Sequence, residues 1–296
     1  MQWKVTKTMN RTKMLTNDKK KEENIILKCM CWNVRGWRGK QDKEKRKMNK
    51  IKSEIEGHDA IMLTETHLSK EEKEIEKMEK CLEECRLQHA HAKIKPNERK
   101  GVTVGIKKKL LSAEEVKIET DEGLEDEGRW IKIKINKLLD QPLTIWGIYS
   151  PAKLKERKAW LKNFGEVVRQ EEGYKVIAGD FNFVMNPKLD KIGGSEKSGM
   201  IGAKDQEMWE REFGMSDVWR EQHPGEVGTT WSNNFTDPRR VIKTRIDRVM
   251  ADERIADRVT KVEIKRTRVS DHDAVEWHMA TNLKRKKNHM TKYQWK

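Results

Sequence analysis

Four short apolar runs constrain the fold of this chain more than any other feature of its sequence. They are IILKCMCWNV at 25–34, AIMLTE at 60–65, LTIWGIY at 143–149 and VIAGD at 176–180. Such runs are typical of strands that are buried on both faces, and those strands need other layers on each side. The sequence therefore predicts sheets that lie inside the molecule rather than at its surface.

Helical patterns alternate with these strands, and their ranges are 42–57, 70–85, 153–171 and 204–213. In the second helix, Ile75, Met78, Leu82 and Cys85 fall on one apolar stripe. Further strands are predicted at 101–106, 115–120 and 129–135, and around the segments TTW, RIDRVM, VEIKRTRV and AVEWHM. Isoleucines alternate with lysines in the strand at 129–135, so we expect one of its faces to meet solvent.

The strands and helices follow one another without a linker, which favours a single domain. We predict one α/β domain over 25–280, built from two packed sheets that are covered by helices. A basic N-terminal arm at 1–24 and a basic C-terminal tail at 281–296 flank this domain.

The chain is strongly basic, with 64 Lys and Arg against 49 Asp and Glu and a formal net charge of +15. Much of the excess lies in the two terminal segments. They are either solvated tails or arms that hold a polyanion by releasing its counterions. No apolar run is long enough for a membrane helix or a signal peptide. We expect an intracellular protein, and a nuclear one if the polyanion is DNA.

Four cysteines occur at positions 29, 31, 81 and 85. Neither pair has the C-x-x-C spacing of common zinc sites. Cys29 and Cys31 share one face of a predicted strand, and Cys81 and Cys85 lie one turn apart on a predicted helix. We therefore expect four free thiols that pack as small apolar groups.

Polar residues follow or interrupt many of the strands, and they form a chemically complete set. They are Asn33, Glu65, Tyr149, Asp180, Asn182, Thr230, Asp247, Ser270, Asp271 and His272. Asp, Asn and Ser at strand ends are most often turn residues, so each one alone is weak evidence. Glu65 is harder to explain in this way, because a carboxylate at the end of a buried strand needs a partner.

Three of these residues suit a hard divalent cation. Glu65 and Asp271, with Asn33 nearby, offer the oxygen ligands that Mg²⁺ prefers. We predict a Mg²⁺ cofactor, with Mn²⁺ as a possible substitute.

The others suit the splitting of a phosphate ester. Asp247 can fix the tautomer of His272, which then stabilises charge on a phosphate. Asp180 can orient or deprotonate a water molecule, with Asn182 holding its geometry, and Tyr149 can donate to a developing oxyanion. None of these five residues is a cysteine or a serine that could act as nucleophile, which points to direct phosphodiester hydrolysis.

The order of the motifs WNVRG, TETHL, IYSPA, GDFN, TTWSNN, RIDRV and SDH resembles the endonuclease/exonuclease/phosphatase superfamily, which includes exonuclease III-like and deoxyribonuclease-I-like enzymes. ETHL, TWSNN followed by RIDRVMA, and LDKIGG look most like the endonuclease domain of LINE-type non-LTR retrotransposons. The resemblance implies a four-layer sandwich of two stacked mixed β-sheets flanked by helices. It also implies nicking of duplex DNA, with a reverse transcriptase encoded downstream as a partner and no membrane.

By this resemblance Asn33 and Glu65 belong to the metal site, and Asp271 would support the metal or the histidine. Tyr149, Asp180, Asn182 and His272 would surround the scissile phosphate, with Asp247 paired to His272. Thr230 would be a supporting or DNA-contacting residue, and Ser270 a DNA contact. Thr64 stands where the superfamily commonly has Gln, which removes an interaction behind the metal ligand. The segment 232–244 corresponds to a hairpin that helps to choose the nicking site, and its Arg239 and Arg240 are candidate DNA contacts.

Two other functions remain as alternatives. An abasic-site repair endonuclease or a phosphatase would share the superfamily, although repair enzymes typically have a lysine where His67 stands. A DNA-binding module without activity would explain the charge but not the complete polar set.

Overall fold

The computed structural model describes residues 24–37, 44–68, 71–91, 100–111, 116–117, 128–195 and 203–284. The predicted arm at 1–24, except for Asn24, lies outside the described residues, as does the tail beyond Lys284. The same is true of most of the strand predicted at 115–120.

Strands and helices alternate along the chain as the sequence predicts. The strands are β1 (Asn24–Asn33), β2 (Ala60–Thr64), β3 (Cys85–Ala90), β4 (Val102–Lys107), β5 (Val116–Lys117), β6 (Trp130–Ile135), β7 (Leu143–Tyr149), β8 (Tyr174–Asp180), β9 (Lys191–Ile192), β10 (Met215–Asp217), β11 (Trp231–Ser232), β12 (Lys243–Thr244), β13 (Asp247–Asp252), β14 (Val259–Lys265) and β15 (Ala274–Lys284). The helices are α1 (Glu44–Ile55), α2 (Glu72–Cys81), α3 (Lys108–Leu111), α4 (Leu154–Gln170), α5 (Ala203–Phe213) and α6 (Val218–Gln222), with a short 3-10 helix at Ala256–Arg258.

Two six-stranded mixed sheets form the centre of the molecule. The first has the strand order β14-β15-β1-β2-β4-β3, and the second has the order β10-β13-β8-β7-β6-β5. A small three-stranded sheet, β11-β12-β9, lies beside them. Apolar side chains from both large sheets form one buried core, while α1 and α2 cover the outside of the first sheet and α4 and α5 that of the second. The predicted four-layer α/β sandwich is confirmed.

Alternation along β1 explains why the strand is apolar throughout. Cys29 and Cys31 point into the core between the sheets, and Met30 and Trp32 point outward against the helices. All four side chains are fully buried. The predicted free thiols are confirmed, since none of the four cysteines, all of them in the described part of the chain, forms a disulfide.

Two local predictions were wrong. Helix α2 ends at Cys81, and Cys85 begins strand β3 instead of extending the helical stripe. No sequence pattern indicated β3, because CRLQHA lacks a run of β-branched residues. The lysine face of β6 does not simply meet solvent, since Glu171 lies 3.0 Å from Lys132 Nζ and 2.8 Å from Lys134 Nζ at the end of α4.

The topology brings the ends of two parallel strand pairs to one rim of the sandwich. In the first sheet β1 and β2 run parallel, with Asn33 opposite Thr64. In the second sheet β7 and β8 run parallel, with Tyr149 opposite Asp180, and Asp180 also lies opposite Asp247 of β13. Parallel neighbours end at the same edge of a sheet, so residues that are distant in sequence meet there.

Candidate active site

Asn33 links the two sheets at this rim. Its side-chain Nδ2 donates to Glu65 Oε1 at 3.0 Å and to Asp180 Oδ2 at 2.9 Å. Its Oδ1 accepts from the Arg35 backbone N–H at 3.0 Å. Asn33 therefore fixes two carboxylates relative to each other, and its own oxygen is already engaged by Arg35.

The turn after β8 presents Asp180 and Asn182. Asp180 Oδ1 accepts from the Asn182 backbone N–H at 2.8 Å, and Asn182 Nδ2 donates to the Ser150 carbonyl at 2.8 Å. Asn182 has a φ of 55°, so the chain turns here and does not continue as an extended strand. Burial and the neighbouring Asp247 carboxylate raise the pKa of Asp180. This carboxyl is therefore a better proton acceptor than an exposed aspartate.

Asp247 and His272 form the predicted pair, with His272 Nδ1 at 2.8 Å from Asp247 Oδ2. Burial alone would lower the pKa of His272, but Asp247 and Asp180 outweigh burial and raise that pKa to about 9. The imidazole is therefore positively charged at neutral pH. It lines the cleft described below, where it can stabilise negative charge.

Thr230 supports this pair from behind. Its side chain is fully buried, and its Oγ1 accepts from the backbone N–H groups of Ile246 at 3.1 Å and Asp247 at 3.0 Å. Of the two roles expected for Thr230, a supporting residue or a DNA contact, these bonds match the supporting one, since the side chain holds the backbone of Asp247 in place.

Tyr149 lies near the carboxylates of Glu65 and Asp180. Burial, together with Glu65 and Asp180, raises its pKa well above its ordinary value, and its hydroxyl hydrogen-bonds to Glu65. The phenol therefore stays protonated and keeps a proton that it can donate. Burial would raise the pKa of Glu65 itself, but hydrogen bonds, first from His67, outweigh burial and lower it.

The donor atoms at the rim fit a divalent cation. Carboxylate oxygens of Asp180 and Asp247 lie within 4.8 Å of each other. Within the described part of the chain, the buried Asp247 Oδ1 has no hydrogen-bond partner. Carboxylate oxygens suit Mg²⁺, and a cation would offset the repulsion between these acids. Glu65, held 3.0 Å from Asn33 Nδ2, adds a further carboxylate beside them.

Asp271, predicted as a metal ligand, has other partners. It forms an ion pair with Arg35, and its Oδ2 also accepts from Trp231 Nε1 at 3.1 Å. Ser270 Oγ donates to the Asn33 carbonyl at 2.8 Å and accepts from the His272 N–H at 3.2 Å. Both residues thus tie the loop before β15 to the end of β1, and sequence reasoning missed the part that Arg35 and Trp231 play in this.

Unusual backbone angles concentrate at the rim. Of the five described non-glycine residues with positive φ, four lie in the site: Arg35, Glu65, His67 and Asn182. Such angles cost about 1–3 kcal/mol each and persist only where the surroundings impose them. Positive φ at Arg35 could not be inferred from its residue type, since Asn and Asp are the types that favour it.

An open cleft of about 860 Å³ runs along this rim. Its lining includes the charged centre, with Glu65, Tyr149, Asn182, Asp271 and His272. It also includes residues in and around the small sheet, among them Lys191, Asn233 and Thr244. The cleft therefore continues well beyond the charged centre and can hold a substrate larger than a phosphate group.

The candidate DNA contacts Arg239 and Arg240 lie on a structured hairpin at 232–244, part of which lines the cleft, but these two arginines are not lining residues. Arg239 is 90% exposed, and both its Nε and its Nη2 lie 3.2 Å from the Asp237 carboxylate. The Arg240 guanidinium stacks over the Phe235 ring, 4.0 Å from its centroid. Asn233 joins the two sides of the hairpin, with its Oδ1 accepting from Ile242 N at 3.1 Å.

Two stacked mixed sheets with this set of acids, amide, phenol and imidazolium at one rim define a hydrolase of the nuclease and phosphatase class. The chain belongs to the Endonuclease/Exonuclease/phosphatase family, which its sequence matches over residues 30–272. A search of curated proteins found no match.

Solved structures share the fold at low sequence identity. The AP endonuclease LMAP from Leishmania major is 19% identical with a TM-score of 0.72, over 86% of this chain and 88% of that one. An AP endonuclease from Archaeoglobus fulgidus is 18% identical with a TM-score of 0.63, over 86% and 99%. The 3′ phosphatase NExo from Neisseria, bound to product DNA hairpin, is 16% identical with a TM-score of 0.64, over 86% and 99%.

Proposed function

We propose that this protein is a Mg²⁺-dependent endonuclease that nicks duplex DNA by direct hydrolysis, as in target-site nicking by LINE-type retrotransposons. One observation carries the proposal. Asp180, Asn182 and the His272–Asp247 pair meet Glu65 and Tyr149 beside one open cleft. The net charge of +15 favours a polyanionic substrate over a small neutral one.

The geometry divides the reaction among a few side chains. Asp180 accepts the proton of a water molecule, whose oxygen then attacks phosphorus while the P–O3′ bond breaks. The departing O3′ takes up a proton from solvent in the open cleft and becomes a free 3′-hydroxyl, while the 5′ side keeps the phosphate. His272, kept protonated by Asp247, and the neutral Tyr149 donate to the phosphate oxygens as negative charge grows there.

A divalent cation held by Glu65 and its carboxylate neighbours would supply Lewis-acid stabilisation of the phosphate. The protein's own contribution is to hold these groups still. Asn33 keeps two carboxylates in register, and Thr230 and Ser270 fix the backbone of Asp247 and His272.

The test is a cleavage assay on three substrates: supercoiled plasmid, a duplex with one abasic site, and a soluble inositol phosphate. Each is incubated with Mg²⁺ or with EDTA. We expect nicking of the intact plasmid that EDTA abolishes. Asp180→Ala and His272→Ala should each lower the rate by at least about 10²-fold, because each removes a group that acts on the transition state.

Matched controls are available on the same scaffold. Asp257→Ala removes an exposed carboxylate from the 3-10 helix, and His278→Ala removes an imidazole from β15 away from the rim. Both should nick at the wild-type rate. Cleavage confined to the abasic site, release of phosphate alone, or DNA retention without cleavage would each contradict the proposal.

Abasic-site cleavage is the second candidate function. The structural neighbours favour it, since two of them are AP endonucleases and a third is a 3′ phosphatase. It predicts that the abasic duplex is cut much faster than the intact plasmid.

The retrotransposon hypothesis extends to partners and location. We infer that duplex DNA is the substrate and that a reverse transcriptase encoded downstream extends the 3′ end. We place the activity in the nucleus, where such a target lies. Among the described residues no helix is long and apolar enough to cross a membrane.

A further inference from the structure

Two buried arginines contact the turn that carries Asp180 and Asn182. Arg157, in the first turns of α4, is only 5% exposed, and Arg248 of β13 is fully buried. Burying a guanidinium costs free energy unless its N–H groups form hydrogen bonds, so the burial of these two side chains needs an explanation. The reaction proposed above gives neither of them a role.

Arg157 joins the two loops that bear the catalytic groups. Its Nη1 lies 3.3 Å from the Pro151 carbonyl and 3.0 Å from the Ala152 carbonyl, in the loop after β7 that begins at Tyr149. The same nitrogen lies 3.1 Å from the Asn182 carbonyl, in the turn after β8. One side chain therefore links the segment that follows the phenol to the segment that follows Asp180.

Arg248 holds the next peptide of the same turn. Its Nη2 donates to the Phe183 carbonyl at 3.2 Å. Its nearest carboxylates, on Glu210 and Asp217, lie 3.9 Å away, beyond hydrogen-bond distance. Within the described chain, its Nε and Nη1 have no hydrogen-bond partner. In the described part of the chain, the Arg248 guanidinium therefore makes its side-chain hydrogen bond to the Phe183 carbonyl.

Phe183 is in contact with both arginines. The guanidinium carbon of Arg248 is 4.5 Å from the centroid of the Phe183 ring, and that of Arg157 is 5.3 Å from it. Cation–π contacts of this kind gain strength when they are removed from water. Phe183 also lines the cleft beside Asn182. The ring and the two arginines form a unit, here called the arginine clamp, immediately below the turn.

We propose that Arg157 and Arg248 are positioning residues, which hold the Asp180–Asn182 turn in its left-handed conformation and at a fixed distance from the Tyr149 loop. The reason is geometric. Asn182 has a φ of 55°, which its surroundings must enforce, and its carbonyl and the next one are the groups that the clamp binds. The proposal rests on the hydrolytic function proposed above for this site.

The main test is Arg157→Lys, which keeps the charge but loses the rigid guanidinium that carries Nη1 to three carbonyls. We expect kcat to fall about 10- to 100-fold with KM within about twofold, because a shift of about 1 Å at reacting groups costs about 10²-fold. Arg248→Lys should behave in the same way. Thermal unfolding is measured in parallel, to show that each variant is folded.

Matched controls lie on the same elements. Arg169 of α4 stacks over Phe213 at 5.3 Å, and Arg254, just after β13, stacks over Tyr174 at 5.0 Å. Neither arginine contacts the catalytic loops in the bonds that the structure shows. Arg169→Lys and Arg254→Lys should leave kcat and KM unchanged. A rise in KM in place of the fall in kcat would overturn the proposal, since it would make Arg157 a substrate-binding residue.

A second readout does not depend on activity. Amide hydrogen exchange in the peptides covering 150–152 and 180–184 should be faster in Arg157→Lys than in wild type and unchanged in Arg169→Lys. If the wild type cuts none of the three substrates, the proposed function is wrong. The exchange experiment still shows whether the arginine clamp holds the turn, because it does not depend on activity. Equal exchange in all three proteins would overturn it.

Chemical rescue separates positioning from general destabilisation. Arg157→Ala opens a space beside the cleft, so millimolar guanidinium, but not methylammonium, should restore kcat at least about tenfold in a variant that is shown to be folded. A folded Arg157→Ala variant that guanidinium does not rescue would contradict the clamp.

Discussion

At the scale of single residues, the site depends on side chains that hold their neighbours in place. Asn33, Thr230 and Ser270 each donate to or accept from a neighbouring group at the rim. These short polar side chains satisfy backbone and carboxylate groups that burial would otherwise leave unpaired. Much of the polar set is therefore scaffolding for a smaller group that acts on phosphate.

Thr230→Val tests this scaffolding. The substitution keeps the shape but removes the oxygen that accepts from Ile246 N and Asp247 N. Two buried N–H groups lose their partner, so we expect a loss of about 1–3 kcal/mol in the free energy of unfolding, together with a lower kcat. Denaturant unfolding and nicking rates measure the two effects. Thr260→Val, at an exposed position on β14, serves as control, and equal stability of the two variants would contradict the assignment.

At the scale of elements, the ends of the strands position the site residues, and the close approach of β7 and β8 is one example. Gly179 in β8 has a φ of 143°, and a Cβ added there would lie 2.1 Å from the Ile148 carbonyl oxygen of β7. Glycine therefore lets β7 and β8 approach each other one residue before Asp180. The close approach is between two backbones of the same sheet rather than between protein and substrate.

Gly179→Ala should consequently destabilise the protein by about 3 kcal/mol or more, since it combines a strained φ with a backbone clash. Gly57→Ala is the control, because φ is 90° there but no described atom lies within 4 Å of the added Cβ. It should cost only about 1 kcal/mol. Thermal unfolding of both variants measures the difference, and similar melting temperatures would show that the clash is relieved cheaply.

The hairpin at 232–244 is the element expected to choose the cutting position. Arg239 and Arg240 lie outside the cleft lining, so the double change to alanine should alter the pattern of nicks more than the overall rate. The pattern is read on a sequenced duplex. Alanine at Arg169 and Arg211, exposed on α4 and α5, removes the same charge elsewhere and should leave the pattern intact. An unchanged pattern in the hairpin variant would exclude this role.

At the scale of the whole molecule, charge distribution decides how DNA is held. The two terminal segments are rich in lysine and arginine, and the net charge is +15. If these segments bind DNA, a protein without 1–23 and 285–296 neutralises fewer DNA phosphates. A plot of log affinity against log salt concentration should then have a shallower slope, by about 0.9 for each phosphate contact that is lost. Binding to a short duplex at several salt concentrations measures this slope. An unchanged slope would mean that the segments are only solvated.

The sequence alone determined the layers and the chemistry. Apolar runs such as 143–149 required cover on both faces, and the structure supplies it with helices outside and a shared core inside. The acids, amide, phenol and imidazole of the site could also be recognised from the sequence, because each lies at or next to the end of a strand, where a polar group calls for an explanation. These inferences needed only local pattern and the cost of burying polar groups.

Only the tertiary structure decided which of these residues touch. Asn33 and Asp180 are 147 positions apart, and Arg157 meets Asn182 across two elements. Such pairs depend on which strands are neighbours, and no local pattern encodes that. For the same reason Asp271 was expected at a metal but lies against Arg35, and Cys85 belongs to a strand rather than to the predicted helix. Residue types fix what a site can do, and packing fixes which residues do it.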